Sequence, residues 1–162
     1  MTLDPAARKH VLRSFTYGLY AVSATLNDEH GIFTANWLTQ VSFDPPLIAL
    51  SVERESSTLP LIRGSGRFVI SPLIDGQKEL AGNLGRPKSR AGDKFESAGV
   101  NFVTTSTGDR AFASGTGFCV CSVRNEIPTG DSIVIIGEVT EARVGSDKSP
   151  LTMREAGFRH AG

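Results

Sequence analysis

Short runs of apolar and β-branched residues, rather than long helical repeats, dominate the first third of this chain. Segments 17–26, 32–41 and 47–52 each predict a strand. A polar turn at 27–31 separates the first two strands. Pro45 and Pro46 interrupt the pairing before the third strand, because proline has no backbone donor for a sheet.

The rest of the chain continues this pattern with a few helices between the strands. Further strands are predicted at 67–70, 100–104, 118–123 and 133–144. Helices are predicted at 5–14 after Asp4, from Ser57 or Thr58 onward, at 75–84 with Asp75 as cap, and at 93–98. The first helix would bury Val11, Leu12 and Phe15. Since strands outnumber helices and no β-α-β alternation occurs, we predict an antiparallel barrel with a few peripheral helices.

Length and charge limit the possible functions. The 162 residues are enough for a single domain spanning 1–162, and the last fifteen or so carry no strong pattern. Seventeen basic and seventeen acidic side chains cancel, so the chain lacks the basic surplus that nucleic-acid binding requires. No apolar run is long enough for a signal peptide or a membrane span, which predicts a cytoplasmic protein without membrane contact.

Cys119 and Cys121 are the two cysteines of the chain. Two residues apart on a strand, they would lie on one face of it. Two cysteines exclude a disulfide-rich scaffold, and without a second pair or a neighbouring histidine they would form only a weak metal site. A packing role is the favoured interpretation.

Several well-known catalytic motifs are absent from the sequence. It contains no phosphate-binding P-loop, no dinucleotide-binding Gly-x-Gly-x-x-Gly after a strand, and no Gly-x-Ser-x-Gly nucleophile turn. His10, His30 and His160 are not spaced as metal ligands, so we predict no metal site.

An unusually polar segment lies within the predicted barrel strands. Thr34, Asn36, Thr39, Gln40 and Ser42 fall between apolar neighbours. Buried polar groups need hydrogen-bonding partners, and a ligand rich in donors and acceptors would supply them. A solvated edge strand is the alternative interpretation.

A second candidate site lies further along the chain. The hydroxyls of Ser56, Ser57 and Thr58, at a predicted helix start, suit a phosphate group. Lys88, Ser89 and Arg90 could add positive charge to the same anion. The alternative is an ordinary capped helix and an ordinary basic loop.

A series of motifs in order resembles the flavin reductase-like, FMN-binding split-barrel family. The series consists of 15–19, 31–36, 41–47, 56–58, 68–70, 93–95, 130–132 and 137–139. The most specific part is Thr34-Ala35-Asn36 followed by Asp44-Pro45-Pro46. The resemblance covers about residues 8–144, leaving 145–162 as a C-terminal tail, and implies a mainly β, Greek-key split barrel.

The resemblance also implies which residues bind the cofactor. The strand Thr34, Ala35, Asn36, Trp37, Leu38 and Thr39 would run beside the isoalloxazine and ribityl chain of FMN, or of FAD. Ser51 and Val52 would lie near the ribityl and phosphate end. Ser57 and Thr58 would bind the phosphate, with Lys88 and Ser89 closing over it.

Two positions depart from the family pattern. Family reductases commonly carry Gly-Asp-His, with the histidine on the nicotinamide side, whereas this chain has Gly130-Asp131-Ser132. Trp37 stands where many members have a small residue, so its indole would stack on the flavin or restrict access to it.

The function implied is NAD(P)H-dependent reduction of the flavin by hydride transfer to N5, with electrons passed to free flavin or to a partner such as a monooxygenase. One alternative is a flavoredoxin-like FMN electron carrier reduced by a protein donor. A second is a flavin-binding module without a redox role. The resemblance further implies a homodimer, because family members form the flavin site between two subunits.

Overall fold

The computed structural model describes residues 1–88 and 92–161, which contain nine strands and five helices. In chain order they are α1 (Pro5–Arg13), β1 (Tyr20–Leu26), β2 (Glu29–Ala35), β3 (Leu38–Ser42), β4 (Leu47–Glu53), α2 (Leu59–Ser65), β5 (Arg67–Pro72), α3 (Lys78–Leu84), α4 (Lys94–Ser97), β6 (Phe102–Thr104), β7 (Arg110–Phe112), β8 (Gly117–Pro128), β9 (Ser132–Val144) and α5 (Met153–Ala156).

Seven of these strands form one antiparallel sheet in the order β2-β1-β5-β8-β9-β4-β3, and β6 and β7 form a separate hairpin. Within the described residues, β2 and β3 are the two edges and do not pair with each other. The prediction of a mainly β, antiparallel split barrel with a few peripheral helices is confirmed.

The barrel interior is filled by side chains that alternate along the strands. Leu50 and Val52 on β4 and Phe68 on β5 are fully buried in it. Val22 on β1 and Leu59 and Ile62 of α2 join the same cluster. Because strands far apart in the sheet order meet in one cluster, the sheet curves around it. Burying each large side chain contributes about 1.5–3 kcal/mol.

Strand β1 is buried on both of its faces. Val22 and Ala24 pack into the barrel interior, whereas Ala21 packs into a second apolar cluster outside the barrel. This outer cluster includes Leu84 of α3 and Phe95 of α4. The peripheral helices therefore cover the sheet beside β1 and β2.

The prediction of one continuous strand at 32–41 is wrong. The chain leaves the sheet after Ala35, passes through Asn36 and Trp37, and re-enters it as β3 at the opposite edge. The side-chain amide of Asn36 donates to the C-terminal segment, 3.2 Å from the carbonyl oxygen of His160. The alternation of residue types could not show this break, because its partner lies more than a hundred residues away.

The first helix begins as predicted, with Asp4 accepting from the amides of Ala6 and Ala7. Its predicted buried side is wrong, because α1 buries none of its residues. Val11 and Phe15 are each 53% exposed. The apolar residues fall on one side of the helix as predicted, but no element of the described chain packs against these side chains.

Helix α3 begins three residues later than predicted. Gln77 rather than Asp75 is its N-cap residue. The Gln77 side chain accepts from the amide of Ile74 and donates to the carbonyl oxygen of Ser114. It thus joins the start of α3 to a distant loop, a contact that local capping rules do not reveal.

The two cysteines pack within the barrel. Cys121 is fully buried in the interior cluster, and Cys119 packs partly against it. Burial raises the pKa of both thiols, that of Cys121 to about 12. Both are therefore protonated, neutral side chains at physiological pH, which suits packing and disfavours metal binding.

Gly137 provides a test of the interior packing. A methyl group at Gly137 would lie 2.6 Å from the ring of Phe68 and 3.0 Å from Cβ of Cys121. We expect Gly137→Ala to lower the free energy of unfolding by about 1–3 kcal/mol, because the fully buried Phe68 ring has little room to move. Urea denaturation measures this change. Gly130→Ala, in open space, is the control; an equal loss in both variants would contradict the packing described.

Candidate functional site

A large cavity lies beside the end of β2, where the barrel, the peripheral helices and the C-terminal residues 153–161 meet. Its volume is about 770 Å³, within the range typical of small-molecule sites. The residues that line it are Leu19, Phe33–Trp37, Ser51, Glu53, Glu55–Thr58, Ala81, Gly82, Gly85–Lys88, Lys94, Ser132, Met153, Phe158 and His160.

One wall of the cavity is the predicted polar segment at the end of β2. Thr34, Ala35, Asn36 and Trp37 all line it. The Thr34 hydroxyl donates to the carbonyl oxygen of Ala81, 2.6 Å away, which fixes α3 against β2. Trp37 is 38% exposed, so part of its indole surface remains open.

The hydroxyl residues before α2 form another wall. Ser51, Ser57 and Thr58, all predicted site residues, line the cavity together with Ser56. Thr58 is 2% exposed, and its backbone amide donates to Oγ of Ser56, 3.3 Å away. Thr58 is the N-cap residue of α2, but its side chain makes no cap hydrogen bond. This wall of the cavity is therefore rich in hydroxyl groups.

Gly31 allows Thr58 to approach the sheet. A Cβ atom at Gly31 would lie 2.7 Å from Oγ1 of Thr58 and 3.0 Å from the Leu61 side chain. Any side chain here would push the start of α2 away from β2. This glycine is thus part of how the chain forms the hydroxyl wall.

Of Lys88, Ser89 and Arg90, which were predicted near the phosphate, the structure describes Lys88 alone. Lys88 lines the cavity, and its Nζ lies 2.9 Å from Oε1 of Glu29 in an ion pair between exposed side chains. Ser89, predicted to close over the phosphate with it, lies outside the described residues. Arg86 also lines the cavity and was not among the predicted site residues.

Three predicted residues are not among those that line the cavity. Val52 is fully buried in the barrel interior, and Leu38 packs partly against the same cluster. Thr39 is exposed on β3, where its hydroxyl donates to the carbonyl oxygen of Gln40. A cofactor contact by these three residues stays a prediction.

Lys94 is a site residue that the sequence reasoning missed. It lines the cavity, is 9% exposed, and donates from Nζ to the carbonyl oxygen of Leu84, 2.7 Å away. Burial lowers the pKa of Lys94. The sequence predicted the helical turn at 93–98 but not that a lysine within it is buried.

The C-terminal segment also lines the cavity, through Met153, Phe158 and His160. The His160 ring lies 5.6 Å from the Trp37 ring, and its Nε2 lies 3.7 Å from Oε1 of Glu53. The segment begins with α5, whose start carries reciprocal hydrogen bonds between Thr152 and Glu155. This Thr-x-x-Glu spacing was the signal that could have predicted the helix.

Ser132, where the family commonly has histidine, lies on the cavity wall and is 4% exposed. Its hydroxyl donates to the carboxylate of Asp131, 3.1 Å away. The position where this chain has serine instead of the expected histidine therefore lies on the cavity wall.

Comparisons with known proteins agree with this architecture. The flavin reductase like domain matches residues 12–162. The reductase component of 4-hydroxyphenylacetate 3-monooxygenase from Thermus thermophilus is 30% identical over 154 residues, which cover 94% of each protein. A high molecular weight rubredoxin from Moorella thermoacetica is 33% identical over 87% of this chain, which spans 62% of that relative. The solved structure of the flavin reductase PheA2 has a TM-score of 0.80 and 25% identity, with 99% of both chains covered.

The curved antiparallel sheet, its flanking helices and the cavity beside β2 define an oxidoreductase of the split-barrel class. The chain belongs to the flavin reductase like domain family, whose pattern covers nearly all of it. Among the described residues, no helix is long and apolar enough to cross a bilayer.

The contact between Asn36 and the C-terminal segment is open to a direct test. We expect Asn36→Ala to speed amide hydrogen exchange at 158–161 about fivefold, because a hydrogen bond worth roughly 1 kcal/mol is lost. Mass spectrometry of exchanged peptides measures this. Gln40→Ala removes an amide that contacts only Ser42 on the exposed strand β3 and is the control. Unchanged exchange in the Asn36 variant would show that other contacts hold the segment.

Proposed function

We propose that this protein is a flavin reductase that binds FMN or FAD in the cavity beside β2 and oxidises NAD(P)H there. The observation that carries the proposal is the cavity of about 770 Å³, which the hydroxyl residues Ser56, Ser57 and Thr58 line together with aromatic side chains. A concave site with a few polar groups on an otherwise apolar lining is typical of a small-molecule site.

The residues present fit a flavin nucleotide. Leu19, Phe33 and Trp37 offer apolar and aromatic surface suited to a planar ring system. Ser56, Ser57 and Thr58 offer hydroxyls, and Lys94 offers a cation, suited to a phosphorylated tail. A cavity that has both an apolar, aromatic wall and a polar, cationic wall suits a ligand with a planar ring system and a phosphorylated tail.

A bound flavin supplies the redox chemistry by accepting hydride from the nicotinamide and passing electrons onward. The protein then needs only to bind, orient and shield it. Thr34, through its bond to Ala81, fixes the distance between two walls of the cavity. Trp37 and His160 lie side by side on the cavity wall, with the His160 ring near the carboxylate of Glu53. Because the flavin would carry out the hydride transfer, the protein needs no catalytic acid–base pair, and the sequence shows no motif for one.

The proposed electron acceptor is free flavin or a monooxygenase partner. The likeness to a monooxygenase reductase component supports a monooxygenase partner supplied with reduced flavin. The likeness to a high molecular weight rubredoxin favours a second candidate function, that of a flavin carrier reduced by a protein donor. The cytoplasmic location stays a prediction.

We also propose that the protein is a homodimer, as the family resemblance implies. Exposed apolar side chains support this, with Phe43 91% and Phe15 53% exposed. Burying such groups against a second copy would remove apolar surface from water.

Anaerobic reduction of the flavin tests the proposed function. We expect flavin-loaded protein to lose its visible flavin absorbance quickly on addition of NADH or NADPH, with dithionite as the control reductant. Bleaching by dithionite or a reduced rubredoxin alone would favour the carrier. A protein whose melting temperature does not respond to FMN or FAD would contradict the proposal, because a ligand of the native state must stabilise it.

A further inference from the structure

Two residues of β4 face the cavity, as the alternation of side chains along a strand requires. Ser51 and Glu53 line the cavity, whereas Val52 between them is fully buried in the barrel interior. Glu53 is the last residue of β4. The strand therefore places the Glu53 carboxylate at the cavity wall, where 65% of the side chain is exposed.

The segments on either side of β4 bring an aromatic ring and a hydroxyl beside Glu53. On one side, the amide of Ser51 donates to the carbonyl oxygen of Trp37, 3.0 Å away, which fixes Trp37 next to β4. On the other side, Glu53 is paired directly with Ser132 of β9. Trp37, Glu53 and Ser132 all line the cavity. We call these three residues the carboxylate patch.

The Glu53 carboxylate has no permanently charged cation beside it. Within residues 1–88 and 92–161 it pairs with no lysine or arginine, and its contact is with Nε2 of His160, 3.7 Å away. An imidazole carries charge only when it is protonated. The side chain of Arg54 donates instead to the carbonyl oxygens of Thr129 and Gly130, in the turn before β9. The carboxylate patch is therefore an acidic part of the cavity wall.

The cavity thus carries opposite charges on different elements. α3, α4 and the loop between them contribute cations to its lining, namely Arg86, Lys88 and Lys94. A ligand group that carries or gains positive charge is attracted to the carboxylate patch instead. The faces of aromatic rings also attract cations, and the Trp37 side of the patch offers an indole that is 38% exposed.

Oxidation of NADH creates positive charge on a ring that had none. As hydride is transferred, the C4–H bond of the dihydronicotinamide breaks, and the hydrogen leaves with both bonding electrons for N5 of the oxidised flavin. The nicotinamide ring, neutral before the step, is then a pyridinium cation. A carboxylate and an aromatic face that meet this ring interact more strongly with the transition state than with NADH, which is the condition for lowering the barrier.

We propose that Glu53 is a catalytic residue, which stabilises the positive charge that develops on the nicotinamide ring during hydride transfer, and that Trp37 contacts the same ring. This inference rests on the proposed function and adds to it a residue outside the predicted set. It requires the cavity to bind an oxidised, cationic nicotinamide more tightly than an uncharged one.

Two ligands isolate the charge of the ring. NAD⁺ carries the pyridinium cation, whereas 1,4,5,6-tetrahydro-NADH has an uncharged ring and does not transfer hydride to a flavin. Isothermal titration calorimetry of the flavin-loaded protein gives both dissociation constants. We expect the unmodified protein to bind NAD⁺ about threefold or more tightly than the tetrahydro ligand. Glu53→Gln should weaken NAD⁺ about three- to tenfold, as for a partly exposed pair of charges, and change the tetrahydro ligand by less than about twofold.

Two variants serve as comparisons. Glu53→Asp retains the charge and should retain most of the preference for NAD⁺. Glu79→Gln removes a carboxylate from an exposed position on α3 outside the cavity, and it should change neither affinity by more than about twofold. Stopped-flow spectroscopy adds a kinetic measurement. Glu53→Gln should slow flavin reduction by NADH about three- to tenfold but leave reduction by dithionite unchanged, because dithionite produces no cationic ring.

The outcomes separate this inference from the proposed function. Equal weakening of both ligands in Glu53→Gln, or no weakening of either, would overturn the role of Glu53 while the proposed function stands. If neither ligand binds the unmodified protein and NADH does not reduce its flavin, the use of NAD(P)H fails instead. The 2′-phosphorylated forms replace both ligands if NADPH reduces the flavin faster than NADH. Retention of bound flavin reports that each variant is folded.

Discussion

The burial of β1 on both faces is the constraint on which the rest of the structure depends. Val22 and Ala24 face the barrel interior, while Ala21 faces the outer cluster that holds α3 and α4. A strand between two cores must bury both faces, and β1 does so with apolar residues and with Ser23, whose hydroxyl donates to the carbonyl oxygen of Arg110. The same arrangement fixes β2 beside the helices, and the cavity forms where β2 ends.

The cavity wall differs from the barrel interior in its chemistry. The barrel interior is filled with apolar side chains, whereas hydroxyl and charged side chains line much of the cavity. On this wall Lys94 is 9% exposed and donates to the carbonyl oxygen of Leu84. Such local departures are expected at functional sites.

Sequence patterns predicted the β architecture because alternation and turn residues are local signals, as in the apolar run of β4 and the prolines before it. They failed where the decisive partner is distant. The break at Asn36 depends on His160, and the cap at Gln77 depends on Ser114. Of the residues that line the cavity, Ser57 and Thr58 were among those predicted and Lys94 was not, because residue type alone predicts that a lysine is solvated.

Lys88 and Lys94 show that folding gives two lysines of one cavity very different surroundings. Both lysines line the cavity, and both carry the charge that an anion needs. Water and Glu29 already stabilise Lys88, so a ligand must displace existing interactions to use it. Lys94 has lost most of its water to folding and received one carbonyl oxygen in return. An anionic group that entered the cavity would therefore displace less water at Lys94 than at Lys88, and the lower local dielectric would strengthen its contact there.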